Sequence, residues 1–385
     1  MAVSNIRRSS APRIAVAGGG AAGLSAALAL LARGAEVIVI EARGRPGQGA
    51  MWASGGMLAP GFECAAETDP DHKLAEAFAA LCARAGRVWP EFAARAEADG
   101  GAPAGYARTG SILPLSSEDE TARFEAAAAQ AARLGIPAER LDAAEAARRE
   151  PGLAAVSEAL WFADDGQVDN RALGEALARA VERAGGTLRC GEPATGLIET
   201  GGAARGVVLA SGERIEADAV LAATGAAAGL HPALPAITPV KGQMIAFSMP
   251  PEAMPRAVIR GFGAYLSAKP GGRLVAGASS EPGEAGLETD PATLERLAQA
   301  ARRIWPALEG VPPSESWAGL RPATADGMPA LGAARGVEGL FMALGGRRNG
   351  VLLSPLMGEA AAAAVLDGAL PGWAAAFHGA RDGLG

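Results

Sequence analysis

The sequence predicts an α/β protein of two domains (α+β in overall arrangement): a Rossmann-type domain and a second domain built on an antiparallel sheet. Three observations carry this prediction. The N-terminal segment reads as strand, glycine-rich turn, apolar helix and strand, which is the pattern of a βαβ unit. Residues 238–285 contain four strand patterns in succession, as in an antiparallel sheet. Two apolar strands, at 219–225 and 340–344, return the chain to the first domain.

The N-terminal unit carries the glycine pattern of dinucleotide-binding folds. An apolar strand, residues 14–17, leads into Gly18, Gly20 and Gly23, and an apolar helix follows. The first glycine makes the tight turn, the second lets a pyrophosphate approach the backbone, and the third allows close packing of helix on strand. The next strand ends on Glu41, where a carboxylate accepts hydrogen bonds from ribose hydroxyls and repels a 2′-phosphate. The pattern predicts dinucleotide binding and disfavours NADP; a plain strand–turn–helix is the alternative.

Periodicity and turn residues predict the remaining elements. Apolar residues recur at helical spacing over 72–98, which indicates one long amphipathic helix or a broken pair. Asp169 and Asn170 precede a helical pattern and predict its N-terminal cap. The acidic pair Asp164 and Asp165 suits metal or acid–base chemistry, but the glycine after it favours a solvated turn. The other predicted elements are strands at 108–115, 187–190, 194–199, 206–210, 213–217, 240–247, 256–259, 265–268 and 273–278, two short solvent-facing helices within 118–150, and helices at 171–184, 291–304 and 355–366.

Length and element order predict how the chain divides. At 385 residues the chain is long enough for two domains, on a prior of roughly 150 residues per domain. The predicted boundaries assign residues 1–80, 151–228 and 321–385 to the nucleotide-binding domain and residues 81–150 and 229–320 to the substrate domain.

Composition excludes several classes of function. A net charge of −7, with basic residues mostly scattered singly, argues against a nucleic-acid surface. The three cysteines and three histidines form no metal-like spacing, so we expect no metal site, reduced thiols and a cytoplasmic location. Arg7 and Arg8 ahead of the apolar stretch 14–32 imitate a twin-arginine signal or a membrane span. That stretch holds the glycine fingerprint, so we expect no stable membrane association.

Several segments together resemble the glycine oxidases of thiamine biosynthesis, within the D-amino acid oxidase family of flavoproteins. The resemblance covers nearly the whole chain. The glycine fingerprint is shared by many flavoproteins, whereas Trp-Ala-Gly-Leu-Arg-Pro followed 27 residues after its arginine by Arg-Asn-Gly is much more specific. The segments that carry the resemblance are 18–41, 52–60, 223–225, 265–270, 272–278, 317–322 and 348–355.

The resemblance implies non-covalently bound FAD in a Rossmann-type domain of the glutathione-reductase type. It also implies oxidation of the amine of a small amino acid (glycine, sarcosine or a D-amino acid) to an imine and then a 2-oxo acid, with release of ammonia and reduction of O2 to H2O2. On the family's pattern and the fingerprint, the expected cofactor contacts are Gly18, Gly20, Ala22, Gly23, Glu41, Ala42, Ala50, Met51, Gly55, Gly56, Met57, Thr195, Thr224, Gly225, Gly346, Arg347, Arg348, Asn349, Gly350, Val351 and Leu352.

The same resemblance assigns the substrate site. It implies that Arg321 binds the substrate carboxylate, that Tyr265 lies over the substrate, and that Arg348 lies at the edge of flavin and substrate. A planar guanidinium suits a carboxylate because it offers two parallel hydrogen bonds. The alternative for Arg321 is a structural ion pair with a nearby acid such as Asp326. Hydride transfer from the α-carbon needs a neutral amine and no obligatory protein base.

Three departures from the family's pattern concern the substrate. Gly346 and Arg347 stand where the family often has histidine and phenylalanine, which adds a cation and removes an aromatic ring. Gly263 replaces a larger polar residue, and Ser280 replaces an apolar one. We therefore expect a substrate pocket, to which Gly263 and Ser280 contribute, that is wider, more polar and more cationic than one for glycine.

Three other functions remain open at this point. A D-amino acid dehydrogenase would pass electrons to a quinone and would need a membrane-facing surface, which the sequence does not show. A flavin hydroxylase would need NAD(P)H, and there is no second dinucleotide fingerprint. A non-catalytic flavin-binding module is disfavoured by Arg321, Tyr265 and Arg348. We expect a homo-oligomer, and the sequence leaves the side chain and chirality of the substrate open.

Overall fold

The computed structural model describes residues 11–227, 229–261, 263–381 and 383–384. Its helices confirm the predicted ones at 171–184 and 291–304 almost residue for residue. Asp169 caps the first of these, because its carboxylate accepts hydrogen bonds from the backbone N–H groups of Arg171 and Ala172. The helices are α1 (Ala21–Leu31), α2 (Ala50–Ala53), α3 (Pro60–Phe62), α4 (Ala75–Gly100), α5 (Thr121–Arg133), α6 (Ala143–Arg149), α7 (Asn170–Arg183), α8 (Pro291–Ile304) and α9 (Gly350–Asp367).

The strands follow the predicted pattern, with unpredicted additions at 139–142, 158–162, 315–323 and 330–333 and three two-residue strands at 57–58, 166–167 and 281–282. They are β1 (Arg13–Ala17), β2 (Glu36–Glu41), β3 (Met57–Leu58), β4 (Ser111–Leu115), β5 (Glu139–Asp142), β6 (Glu158–Phe162), β7 (Gly166–Gln167), β8 (Thr187–Cys190), β9 (Ala194–Thr200), β10 (Ala203–Leu209), β11 (Arg214–Glu216), β12 (Ala219–Ala222), β13 (Thr238–Ser248), β14 (Val258–Arg260), β15 (Tyr265–Lys269), β16 (Arg273–Gly277), β17 (Glu281–Pro282), β18 (Glu315–Ala323), β19 (Ala330–Ala333) and β20 (Leu340–Leu344).

A six-stranded sheet forms the first domain, in the order β19-β20-β12-β1-β2-β8. Its strands pair in parallel except for β19, which is antiparallel to β20. Strands β1 and β12 are apolar and almost completely buried, as expected for a parallel sheet that is covered on both faces. A three-stranded antiparallel sheet, β11-β10-β9, accompanies it. This architecture confirms the predicted Rossmann-type domain.

Four helices share one apolar core on this sheet. Helix α1 packs on α9, and α4 packs on α7 and α9. Helix α4 is one continuous helix in spite of Pro90, which confirms the first of the two predicted alternatives, and its C-cap, Gly101, has the left-handed conformation (φ 63°). Trp89 of α4 is buried in this core, and its indole N–H donates to the carbonyl of Leu352 in α9 at 2.7 Å.

The second domain is a mixed, mainly antiparallel sheet of nine strands. Its order is β17-β13-β16-β15-β14-β4-β6-β5, and β18 pairs with β13 over nine residues. Helix α8 packs on the face of this sheet at β13 and β16 and buries Leu297, Ala301 and Ile304. The structure thus confirms the predicted antiparallel-sheet domain.

The segment boundaries between the domains differ from the prediction in three places. The boundary at 80/81 falls inside α4, whose apolar face belongs to the core of the first domain. The boundary at 150/151 precedes β6, a strand that pairs with β4 and β5 in the nine-stranded sheet. The boundary at 320/321 falls inside β18. The first correction reflects helix packing and the other two reflect strand pairing between distant segments, and local sequence patterns report neither.

The acidic turn is a further correction. Asp164 is exposed and pairs with Arg108, but Asp165 is completely buried. The carboxylate of Asp165 accepts hydrogen bonds from the hydroxyl of Ser111 and from the backbone N–H groups of Gly61 and Phe62. Burial raises the pKa of Asp165 to about 6 in spite of these bonds. The predicted solvated turn is therefore wrong for Asp165, which instead anchors the start of α3.

Helix α9 is the one helix in the described ranges that is long and apolar enough to cross a membrane by length and composition. Two thirds of its apolar window (67%) is buried within the protein, against α1 and α4. Helix α9 also begins at Gly350, five residues earlier than predicted, and Pro355 lies within its second turn. Its first turn therefore lies outside the predicted helix 355–366.

Candidate active site

The first domain holds a cavity of about 440 Å³ at the carboxyl ends of its parallel strands. Open α/β sheets bind ligands at this edge. The wall contains Ala17 at the end of β1, Glu41 at the end of β2, Ala223 just after β12 and Leu344 at the end of β20. The topology therefore brings residues that are more than 300 positions apart to one site.

The glycine turn has the backbone geometry that its fingerprint predicts. Gly18 has a positive φ of 114°, and its N–H donates to the carbonyl of Ile40 at 2.8 Å. A methyl group on Gly23 would lie 1.9 Å from the carbonyl oxygen of Gly18, so helix α1 can pack this closely only with glycine there. Gly20 has open space at the position of a Cβ atom, so its backbone is accessible to a ligand.

Two helices begin at this cavity without side-chain caps. Helix α1 starts after Gly20 and α9 after Asn349, and no side chain caps either N-terminus. Their first residues, Ala21, Gly350 and Val351 among them, line the cavity. The first N–H groups of a helix have no intrahelical acceptor and lie at the positive end of its dipole. The cavity therefore offers donors for phosphate and for other electron-rich groups.

The carboxylate of Glu41 faces the same space. It is 8% exposed and accepts hydrogen bonds from the backbone N–H groups of Gly19 (2.9 Å) and Arg43 (2.8 Å). An ionised carboxylate has about four acceptor positions, so two remain for ribose hydroxyls. Together with the uncapped helix α1, this donor and acceptor set fits the dinucleotide part of FAD.

Replacing Glu41 should weaken cofactor binding. Glu41→Ala removes a charged hydrogen-bond partner, which typically costs about 1.5–3 kcal/mol. We expect the dissociation constant of FAD to rise by roughly one to two decades, measured by titrating the apoprotein and following flavin fluorescence. Glu36→Ala, at the exposed start of the same strand, is the matched control. An unchanged FAD affinity in Glu41→Ala would show that this carboxylate is not at the ribose.

A second cavity, of about 230 Å³, lies between the two domains and adjoins the first. The two share wall residues, which are Ala50, Ala53, Ser54, Gly319, Leu320 and Arg348. The second cavity is lined on its other sides by strands β13, β15, β16 and β18 of the substrate domain. A ligand in the second cavity would therefore lie beside a ligand in the first.

Arg321 presents free donors to the second cavity. Its Nη1 atom donates to the carbonyls of Ser279 (3.1 Å) and Lys241 (3.4 Å), and within the described residues its Nε and Nη2 atoms have no acceptor. The alternative partner, Asp326, is instead bound by Arg381 at 2.8 and 2.9 Å. The structural interpretation of Arg321 is therefore wrong, and the guanidinium is available to a carboxylate.

Tyr265 forms another wall of this cavity and is held by close contacts. Its hydroxyl lies 3.0 Å from the sulfur of Met244. A Cβ atom on Gly55 or Gly277 would lie 2.6 and 2.8 Å from that hydroxyl oxygen, so both glycines make room for the ring. Burial raises the pKa of Tyr265 to about 12. The phenol is therefore neutral at physiological pH and serves as a wall and a hydrogen-bonding group, not as a base.

Arg348 lies on the walls of both cavities and is bound by two carboxylates. Its Nε atom donates to Glu63 at 3.0 Å, and its Nη1 atom lies 3.3 Å from Glu67. Glu63 also lies 3.7 Å from Nη2 of Arg260, a buried guanidinium stacked 4.0 Å from the ring of Phe62. Burial raises the pKa of Glu63, but Arg348 and Arg260 outweigh burial and hold it below its ordinary value. Glu63 is therefore ionised.

Most predicted site residues line one of the two cavities. The first cavity is lined by Gly18, Gly20, Ala22, Glu41, Ala42, Ala50, Met51, Thr224, Gly225, Gly346, Arg348, Gly350 and Val351. The second is lined by Gly55, Met57, Gly263, Tyr265, Ser280, Arg321, Arg348 and Asn349. Gly263 and Ser280 are exposed and lie at its rim.

Five predicted cofactor residues line neither cavity. They are Gly23, Gly56, Thr195, Arg347 and Leu352. Gly23 packs against Gly18, Gly56 packs against the carbonyl of Val168, and Leu352 is buried in the helical core. Thr195 uses its hydroxyl to bind the carbonyl of Val208, although Pro193 and Ala194 beside it are wall residues. Arg347 is exposed, so the expected additional cation does not reach the substrate cavity.

The sequence analysis missed Glu63, Glu67, Arg260 and Gly242, all of which line the second cavity. Arg260 is the last residue of an apolar strand. The same feature, a charged residue at the end of an apolar strand, indicated Glu41. Glu63 and Glu67 lie one turn apart in a short π-helical segment, and no local pattern distinguishes them from surface acids. Gly242 lies within the predicted strand 240–247, where only the position of Arg321 gives it a role.

Sequence comparison finds relatives that match nearly the whole chain. The family model of the FAD dependent oxidoreductases (DAO) matches residues 13–364. The glycine oxidase of Geobacillus kaustophilus is 32% identical over 358 residues, which cover 90% of this chain and 90% of that protein. The bifunctional protein ThiO/ThiG of Trichormus variabilis is 34% identical over 347 residues, 89% of this chain. The chain spans about half of that bifunctional protein (51%).

Structural comparison gives the same result. The crystal structure of glycine oxidase from Geobacillus kaustophilus superposes with a TM-score of 0.86 and 30% sequence identity, covering 96% of this chain and 99% of that chain. The similarity therefore includes both domains. The chain belongs to the DAO family of FAD-dependent oxidoreductases.

Proposed function

We propose that the protein is an FAD-dependent oxidase of small amino acids. In the overall reaction, amino acid, O2 and water yield 2-oxo acid, H2O2 and ammonia, or a primary amine in place of ammonia when the substrate is an N-alkylated amino acid such as sarcosine. The observation that carries this proposal is Arg321, whose free guanidinium donors face a cavity that adjoins the nucleotide cavity. The similarity of the chain to glycine oxidases over both domains supports the same reaction.

The residues of this chain bind and orient the substrate. Arg321 receives the carboxylate in a bidentate pair, which fixes both the position and the rotation of the amino acid. Tyr265 and Met244 close one side of the cavity, while Gly319 and Leu320 separate it from the nucleotide cavity. FAD, when bound, supplies the two-electron acceptor for oxidation of the amine. The volume of the second cavity, about 230 Å³, limits the amine to one with a short side chain or N-substituent.

Among the described residues that line the second cavity, no side chain is suited to act as a strong base on the amine. Tyr265 is neutral, and Glu63 is ionised but held by two guanidinium groups. The substrate therefore has to react as the neutral amine. Arg348 lines both the substrate cavity and the nucleotide cavity. Its positive charge stabilises negative charge that develops in the nucleotide cavity during the reaction.

A peroxide assay tests this function. Purified holoenzyme is incubated with glycine, sarcosine, D-alanine and D-proline in air, and H2O2 and 2-oxo acid are measured. We expect equimolar peroxide and carbonyl product from at least one of these substrates. Reduction of the flavin without peroxide, together with turnover on adding a quinone, would instead indicate a dehydrogenase. No flavin reduction by any of the four would contradict the proposal.

A further inference from the structure

The second cavity contains an uneven arrangement of charge. Among the described residues its wall carries three guanidinium groups, from Arg260, Arg321 and Arg348, and two carboxylates, from Glu63 and Glu67. The two carboxylates are not shared equally among the three cations.

The carboxylate of Glu63 forms ion pairs with two of the guanidinium groups. One of its oxygens accepts the hydrogen bond from Nε of Arg348 at 3.0 Å, and the other lies 3.7 Å from Arg260. Glu67 lies 3.3 Å from Nη1 of Arg348. In the described part of the chain, Arg321 is then the one guanidinium on this wall without a carboxylate partner.

This arrangement has a consequence for ligands with a second negative charge. A first carboxylate can bind Arg321. A second one, reaching toward Arg348, would meet a guanidinium whose Nε and Nη1 are already engaged, and it would face the negative charges of Glu63 and Glu67. The second carboxylate of the ligand and the carboxylates of Glu63 and Glu67 would repel each other, because like charges in a partly buried site are weakly screened. The site therefore has room for one negative charge and disfavours a second.

We propose that Glu63 is a specificity-determining residue, which occupies Arg348 and Arg260 so that the site accepts amines with one carboxylate and discriminates against those with two. The inference rests on the proposed function and names a narrower class of substrate for the same site. It also explains why three arginines on one small cavity need not make it a site for dicarboxylates.

The experiment compares acetate with malonate, which differ by one carboxylate. Each is titrated into the holoenzyme, and the dissociation constant is read from the shift of the flavin absorption bands, without turnover. We expect malonate to bind the wild type no more tightly than acetate. In Glu63→Gln, Arg348 keeps Glu67 but loses the charged partner of its Nε atom, and malonate should gain at least about tenfold relative to acetate, the effect of one added charge-assisted hydrogen bond. The ratio of kcat/KM for D-aspartate over D-alanine should rise in parallel.

A second variant and a control keep the test decisive. Glu63 is buried between two cations, so Glu63→Gln can fail to fold. Glu67 is more exposed and binds only Arg348, so Glu67→Gln should fold and shift the same ratio in the same direction by a smaller factor. Asp326→Asn, whose partner Arg381 lines neither cavity, should leave the ratio unchanged.

Three results would overturn the inference: malonate binding about tenfold more tightly than acetate in the wild type, an unchanged ratio in the folded glutamine variants, or an equal shift in Asp326→Asn. These results differ from a failure of the proposed function. In that case the wild type would bind neither carboxylate at the flavin and would form no peroxide with any amino acid.

Discussion

Arg321→Leu is expected to lower kcat/KM for a carboxylate-bearing amine by roughly thirtyfold to several thousandfold. Loss of one partner of a buried charge pair costs about 2–5 kcal/mol, and 1.4 kcal/mol is a factor of ten. We expect KM to rise and kcat to fall, because the anchor binds the substrate and also orients its α-hydrogen. Arg321→Lys should recover only part of the loss, since an ammonium group cannot form the bidentate pair. Steady-state peroxide formation measures these changes.

An amine without a carboxylate separates anchoring from folding. If Arg321 is the anchor, its replacement leaves the slow oxidation of that amine nearly unchanged. Equal losses on both types of substrate, together with a lower melting temperature, would mean that the anchor assignment is wrong. The structure already removes the competing explanation, because Asp326 is bound by Arg381.

Gly242→Ala should reproduce much of this loss without touching Arg321 itself. A Cβ atom on Gly242 would lie 2.5–2.7 Å from three atoms of the Arg321 guanidinium, well inside van der Waals contact. The guanidinium is the far end of a flexible side chain, so it moves and the sheet does not. We expect kcat/KM for a carboxylate-bearing amine to fall at least about tenfold, since positioning errors near 1 Å cost this much or more.

The control for Gly242→Ala is another glycine in a strand. Gly196 in β9 has no atom within 4 Å of an added Cβ, so Gly196→Ala should leave activity unchanged. The melting temperature of Gly242→Ala should stay close to that of the wild type. A large fall in melting temperature, with parallel loss of carboxylate-free amine oxidation, would show that Gly242 supports the sheet and not the anchor.

Features that depend on neighbouring residues could be predicted from the sequence. The turn through Gly18, Gly20 and Gly23 is local, because the strand, the turn and the helix are contiguous. The cap at Asp169 and the apolar stripe of α8 depend on spacings of three and four residues. These elements are where the sequence placed them, with shifts of a few residues at their ends.

Features that depend on distant pairing could not be predicted in this way. Asp165 is buried because Gly61 and Phe62, more than 100 residues away, present N–H groups to it. The role of Gly242 appears only when β18 pairs with β13 and brings Arg321 beside it. In the sequence, Glu63 cannot be distinguished from a surface acid. In the structure, Arg260 and Arg348 from other segments contact its carboxylate. Its contribution to the site lies in those contacts, which no local pattern contains.

The most direct test of this account is the crystal structure of the holoenzyme with glycolate, a carboxylate without an oxidisable amine. We expect FAD in the cavity at the ends of β1 and β2, and the glycolate carboxylate in a bidentate pair with Arg321. Arg348 should keep its contacts with Glu63 and Glu67. A carboxylate bound to Arg348, with Arg321 turned toward the protein, would contradict the account.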